Sequence, residues 1–219
     1  MDAFECIHTR MSVRKFNPEP VPKELLTQVM EAALRSPSYK NSQPWEVAVV
    51  TGNKKDLLAE LLVNLVQEGV KAAPDLPHPE LWPPEQEARI NDHSVKRCEK
   101  IGLDLNDPAQ RREAKLDNFR FFGAPAVIFL YQDASLSEWS IFDMGIFSQT
   151  LMLAAHAMGL GTVPQALLTN YPCQTKGLLG IPQSKRLILG ISIGYPDLSH
   201  KVNSYLSSRV DVNSVATFL

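Results

Sequence analysis

Arg10, Ser12 and Arg14 stand at alternate positions near the start of the chain. In an extended segment all three side chains point to one face, and in a helix Arg10 and Arg14 still share one at i, i+4. Two guanidiniums flanking a hydroxyl offer planar forks of N–H donors and a neutral donor between them, a set that matches phosphate oxygens. A second group follows in Ser36-Pro37-Ser38-Tyr39-Lys40-Asn41-Ser42-Gln43-Pro44-Trp45, where the amides of Asn41 and Gln43 sit in a loop among small polar residues. That loop enters Trp45-Glu46-Val47-Ala48-Val49-Val50, a short strand-like run, and a loop leading into a buried strand can fix polar side chains toward a ligand. Taken alone, the arginines also fit an ordinary solvated basic stretch.

Other chemistries lack their residues. Ser148 and Ser192 have no GxSxG context, and the five histidines (His8, His78, His93, His156, His200) show no metal-ligand spacing. His156 reads as a satisfied histidine on a buried helix, and nothing near Cys173 suggests a base that would activate its thiol. The glycines form neither GxGxxG after a strand nor a P-loop, so side chains would have to hold any phosphate. With no evident acid, base, nucleophile or metal, the chemistry is expected to belong to a bound cofactor.

The elements that must position these residues are partly readable. Pro18 to Pro22 form an extended linker, with Pro22 suited to a first helical turn, and the apolar residues of Lys23–Leu34 recur at helical spacing. Lys54–Val70 repeats that pattern. Five prolines between Pro74 and Pro84 exclude a helix or central strand there. Residues 71–107 could form a lid with Trp82 as its cover, or a surface crossing with Trp82 packed against the body. Helices are predicted over Glu85–Lys100 and Pro108–Phe122, the second with Asp107 as N-cap. Ala126–Tyr131 and Arg186–Ile193 are continuous apolar runs and predict strands covered on both faces. Trp139–Met158 predicts a long helix, apolar around most of its circumference and stopped by Gly159. Gly159-Leu160-Gly161-Thr162-Val163-Pro164-Gln165-Ala166-Leu167 reads as a tight return after that helix, either empty or aiming backbone N–H groups into a cavity.

Composition sets outer bounds. The 219 residues are 44% apolar and 21% charged, as in a globular protein with a substantial core, and a single domain over 1–219 is expected. A net charge of −2 gives no reason to expect nucleic acid or a membrane as partner. Three widely separated cysteines make no disulfide framework and fit a reducing cytoplasm; the N-terminus lacks the pattern of a signal peptide.

The two N-terminal groups, the helix between them and the stretch around Pro164 resemble the FMN-dependent nitroreductase family. Its N-terminus reads Arg-x-Ser-x-Arg/Lys-x-Phe, followed by Pro-Ser-x-x-Asn-Ser-Gln-Pro-Trp, and the likeness runs over the whole chain, weakest between about residues 64 and 115. The resemblance implies an α+β fold with a mixed, largely antiparallel sheet flanked by helices, in an intertwined homodimer with flavin sites between the subunits. It implies FMN as cofactor and NAD(P)H as electron donor. A small aromatic acceptor such as a nitroaromatic or quinone would then be reduced by a ping-pong mechanism. Cofactor-binding residues carried over are Arg10, Ser12, Arg14, Pro37, Ser38, Asn41, Gln43, Gln165, Ala166, Leu167 and Arg209. Among these the backbone amide of Ala166 would meet flavin N5, and the arginines the phosphate. No side chain is expected to act as an essential acid or base. One departure stands out: the family's basic pair near the C-terminus is here Ser207 with Arg209, one charge short. The segment from Pro74 through Phe122 resembles the nitrobenzoate-reductase-like branch. Flavin-dependent reductive dehalogenases and a flavin-cleaving enzyme share this fold, and a non-catalytic flavin- or nucleotide-binding module is a further alternative.

Overall fold

The computed structural model describes residues 1–219. Its centre is a four-stranded antiparallel sheet in the order β1-β2-β4-β3, built from β1 (Glu46–Thr51), β2 (Ala126–Asp133), β3 (Gly161–Gln165) and β4 (Lys185–Gly194). The only parallel pairing is an isolated bridge between Ser12 and Thr162.

β2 reads as an unbroken apolar run because both of its faces are covered. Ala126, Ile128 and Leu130 point into one core with α2 (Lys23–Ala33) and α6 (Glu138–Ala157), while Val127 and Phe129 point into another with α3 (Gly52–Gln67) and α5 (Pro108–Phe119). The alternation along a strand thus assigns successive residues to two helical layers. Trp45 closes the first core, stacked on Phe147 of α6 with ring centroids 4.9 Å apart.

α6 is apolar all round, as its sequence predicts, but its two sides differ. Met144, Phe147, Leu151 and Ala155 are buried in the core, whereas Trp139 and Phe142 are 63% and 62% exposed. α1 (Ala3–Thr9) lies against α6 and exposes Phe4 and Ile7. Before β2 come α4 (Pro84–Ile101) and α5, whose N-cap Asp107 accepts a hydrogen bond from the amide of Ala109. α7 (Pro172–Leu179) precedes β4.

One expectation fails. Gly161–Gln165 is a strand rather than a turn, and the tight return is confined to Gly159, whose φ is 80°. Pro164 suggested a break, yet β3 is an edge strand, where proline's missing N–H can face away from the ladder.

Candidate functional site

Arg10, Ser12 and Arg14 lie on an extended arm after α1, and the arm is held along its length. The amide of Val13 donates to the Thr162 carbonyl of β3 at 3.0 Å, and the Val13 side chain is buried between arm and sheet. Close approach depends on Gly161, since a Cβ there would fall 2.6 Å from Val13 Cγ2. Asn203, itself buried, clamps the outer side: its Oδ1 accepts from the Arg14 amide at 2.7 Å, and its Nδ2 donates to the carbonyls of Lys15 and Asp197. With Val13 turned inward, alternation turns Arg10, Ser12 and Arg14 outward together.

They open into a polar cavity of about 200 Å³ shared with Ser207 and Arg209 of the C-terminal tail. None of these arginines forms an ion pair; the molecule's salt bridges lie elsewhere. Burial, and then the charge of Arg209, lowers the pKa of Arg10. Burial, and then the charge of Arg97, pushes Arg14 down to about 10. Arg10 Nη1 and Arg97 Nε are buried without a hydrogen-bond partner. Concentrated positive charge with unsatisfied donors fits a bound polyanion such as a phosphate monoester, which would neutralise the repulsion and accept those bonds.

Three residues of this region were not singled out from sequence. His93 and Tyr205 line the same cavity, and Arg97 stands on the far side of Arg14 in an adjoining cavity of about 230 Å³. His93 and Arg97 share one face of α4 at i, i+4, the only signal the sequence offers for them. They also bear on the charge missing at Ser207, because α4 brings a fourth arginine beside Arg14.

The loop of the second motif is well fixed but stands elsewhere. Asp143, a buried carboxylate of α6, accepts a hydrogen bond from the Tyr39 amide at 3.1 Å, and Ser38 Oγ accepts from the Gln43 amide at 2.9 Å. Lys40, Asn41 and Gln43 adopt left-handed backbone, with φ of 52°, 58° and 46°, and Pro37, Asn41 and Gln43 are exposed. Asn tolerates this conformation, whereas Lys and Gln are held in it by the surrounding bonds. This loop touches the N-terminal part of α6, while the end of α1, from which the arm starts, meets its other end, where Thr9 Oγ1 bonds His156 Nε2 at 2.8 Å. At the rise of an α-helix Asp143 and His156 are roughly 20 Å apart. Within one subunit, then, the amide loop and the arginine cavity are not brought together.

The third predicted group splits. Ala166 is exposed and Leu167 half-buried just past the end of β3, roughly 13 Å along the strand from Thr162 and the arm. The Gln165 side chain is buried, with Nε2 donating to the Asn118 carbonyl and Oε1 accepting from Ser192 Oγ. Strand alternation turns it inward beside Val163, so it braces the sheet and leaves only backbone for a ligand.

With this geometry in place, comparison with known proteins is direct. The model of the Nitroreductase family matches residues 7–195. The chain is 35% identical over 217 residues to nitroreductase NfnB of Mycolicibacterium smegmatis, covering 99% of this chain and 92% of that protein. To a 4-nitrobenzoate reductase of Pseudomonas putida it is 34% identical over 213 residues, covering 95% and 92%. The crystal structure of FMN-dependent NfnB from Mycobacterium smegmatis in complex with NADPH superposes with a TM-score of 0.95 at 34% identity, covering 99% of this chain and 97% of that one.

This chain belongs to the nitroreductase family. In this nitroreductase-family chain the proline-rich connection between α3 and α4 has two parts. Its first half is pinned: Tyr171 donates to the Val70 carbonyl, the Ala73 amide to the Asn170 carbonyl, and His78 pairs with the Asn170 side chain. Asp75 bonds Lys176 Nζ at 3.0 Å and the Leu187 amide at 2.8 Å, with Lys176 only 3% exposed. Its tip is not held in this way, Leu81 being 89% and Trp82 49% exposed. A larger cavity, about 810 Å³, lies away from the arginines beside the β1 edge, lined by residues such as Pro18, Leu26, Met30 and Val49. It gathers no acid, base or nucleophile cluster, so its size does not make it the site of chemistry.

Proposed function

We propose that this nitroreductase-family protein is an FMN-dependent oxidoreductase that takes hydride from NAD(P)H and passes it to nitroaromatics, quinones or similar electron-poor acceptors, working as a homodimer. The observation that carries the reading is the cavity that Arg10, Ser12, Arg14 and Arg209 line together, where no arginine has an acidic partner and Arg10 Nη1 has no acceptor. These residues would hold the FMN phosphate, and Ala166 and Leu167 would face the ring. When bound there, FMN would supply the hydride-transfer chemistry between donor and acceptor. The protein's own residues bind and orient: the arm fixes the phosphate end, while the turn after β3 presents backbone to the other end. No side chain is assigned as an essential acid or base. The related proteins support the reading, being named as an NfnB nitroreductase and a 4-nitrobenzoate reductase.

The homodimer is supported by the exposed apolar residues of α1 and α6. It is also supported by the separation of the amide loop from the arginine cavity. A second copy across α6 would let Pro37, Ser38, Asn41 and Gln43 of one subunit serve the cavity of the other.

The test is spectroscopic. Purified protein should bind FMN and absorb near the flavin band at roughly 450 nm, lose that absorbance anaerobically on adding NADPH or NADH, and regain it with a nitroarene. Protein that stays colourless and cannot be reconstituted with FMN would refute the proposal.

A further inference from the structure

His93 is the one imidazole facing the arginine cavity, and it enters from α4, not from the arm or the tail. Its Nδ1 lies 3.2 Å from the hydroxyl of Tyr205, with the two rings 5.3 Å apart between centroids. The groups that face it are Arg14 on the arm, Arg209 and Tyr205 on the tail, and Arg97 and Asp92 on its own helix. Asp92 is itself paired with Lys96. The balance around the ring is therefore strongly positive, and with burial it holds His93 below the usual histidine pKa. An anion in the cavity reverses that balance. Tyr205 suits either state of the ring, because a phenol can donate to Nδ1 of a neutral imidazole or accept from Nδ1–H of an imidazolium.

We propose that His93 is a ligand of the bound phosphate, donating from Nε2 in its imidazolium form, so that cofactor binding and proton uptake on α4 are linked. This rests on the FMN reading for the identity of the phosphate ester, though not for the presence of an anion. The only step is a proton transfer: when the anion enters, an N–H bond forms at the ring and the bond to that proton in hydronium or a buffer acid breaks. The arrangement also answers the charge missing at Ser207, with α4 supplying a cation that exists only when the site is filled.

The experiment is the ratio of FMN dissociation constants, His93→Gln over wild type, measured from pH 8 to pH 6 at fixed ionic strength. The phosphate's own titration is common to both proteins and cancels in the ratio. The ratio should rise from less than about twofold at pH 8 to about tenfold at pH 6, since a histidine changes charge across this range and only the wild type gains a charge-assisted bond. Riboflavin, which lacks the phosphate, should show no such rise. A ratio independent of pH, or an equal rise with riboflavin, overturns the proposal. If the wild-type protein binds no FMN at all, the flavin reading fails. The His93 proposal is then decided by inorganic phosphate, which must shift the His93 ring resonances and raise their titration midpoint; unmoved resonances sink it. That NMR titration uses the wild-type protein and so also decides the matter if His93→Gln does not fold.

Discussion

Arg14 is the residue whose two duties can be pulled apart. Without an anion it is a largely buried cation beside Arg97, and its lowered pKa of about 10 records that the folded protein disfavours its charge. With a phosphate bound, that charge is useful. Arg14→Gln should therefore leave the flavin-free protein as stable as wild type or more so, while weakening FMN by about 1.5 to 3 kcal/mol for one lost charge-assisted bond. Thermal unfolding of flavin-free protein and fluorescence titration with FMN separate the two effects, and a variant destabilised without weaker binding would contradict this account. His156 makes a second prediction. Burial, then the charge of Arg10, lowers its pKa, with Glu5 opposing. The unfolded chain therefore holds more protons as pH falls through about 6.5, so stability drops on acidification. Unfolding temperatures of flavin-free protein between pH 7.5 and 5.5 should fall less steeply in His156→Gln.

At the scale of elements, the arm depends on one close contact with β3. Gly161→Ala would drive a methyl into Val13, and overpacking of this kind costs about 1 to 3 kcal/mol. Because the arm also carries the arginines, FMN affinity should fall with it, and adding Val13→Ala should restore part of both, since it removes Cγ2 but leaves the Val13 and Pro196 Cβ atoms 3.0 and 3.2 Å from the new methyl; no recovery at all in the double variant would mean the arm is held by other contacts. Why some elements were legible in the sequence and others were not has a physical answer. β2 and β4 are covered on both faces and α6 is apolar all round, so composition alone marks them. β3 is made a strand by pairing with β4 and by the arm, neither visible in a segment containing two glycines and Pro164. Missing the strand meant missing its alternation, so the inward turn of the Gln165 side chain could not be read from the sequence. α4 was predicted as a helix, but the face that meets the arm is decided by tertiary packing, so His93 and Arg97 stayed hidden while Arg10, Ser12 and Arg14 did not. Asp143, a lone buried acid on the apolar helix α6, holds the Tyr39 loop.

For the whole molecule, the exposed aromatic side of α6 is the feature that a single chain leaves unexplained. Phe142→Glu should shift sedimentation from a dimer toward a monomer and lower FMN content with it, because the amide loop would no longer reach a neighbouring cavity. A monomeric variant that keeps its flavin would show that each chain holds the cofactor alone. The sheet's two borders add a constraint on how copies can meet. Along β3 the outer border is occupied by the arm at Thr162, and Pro164 has no N–H to offer. β1 has no strand on its outer side, and its Val49 is 41% exposed. A subunit with one sealed border and one open border can join strands with a single neighbour and cannot pass the pairing on. Edge-to-edge growth of these sheets would therefore stop at two copies, with Pro164 and the arm as the stop against a fibre.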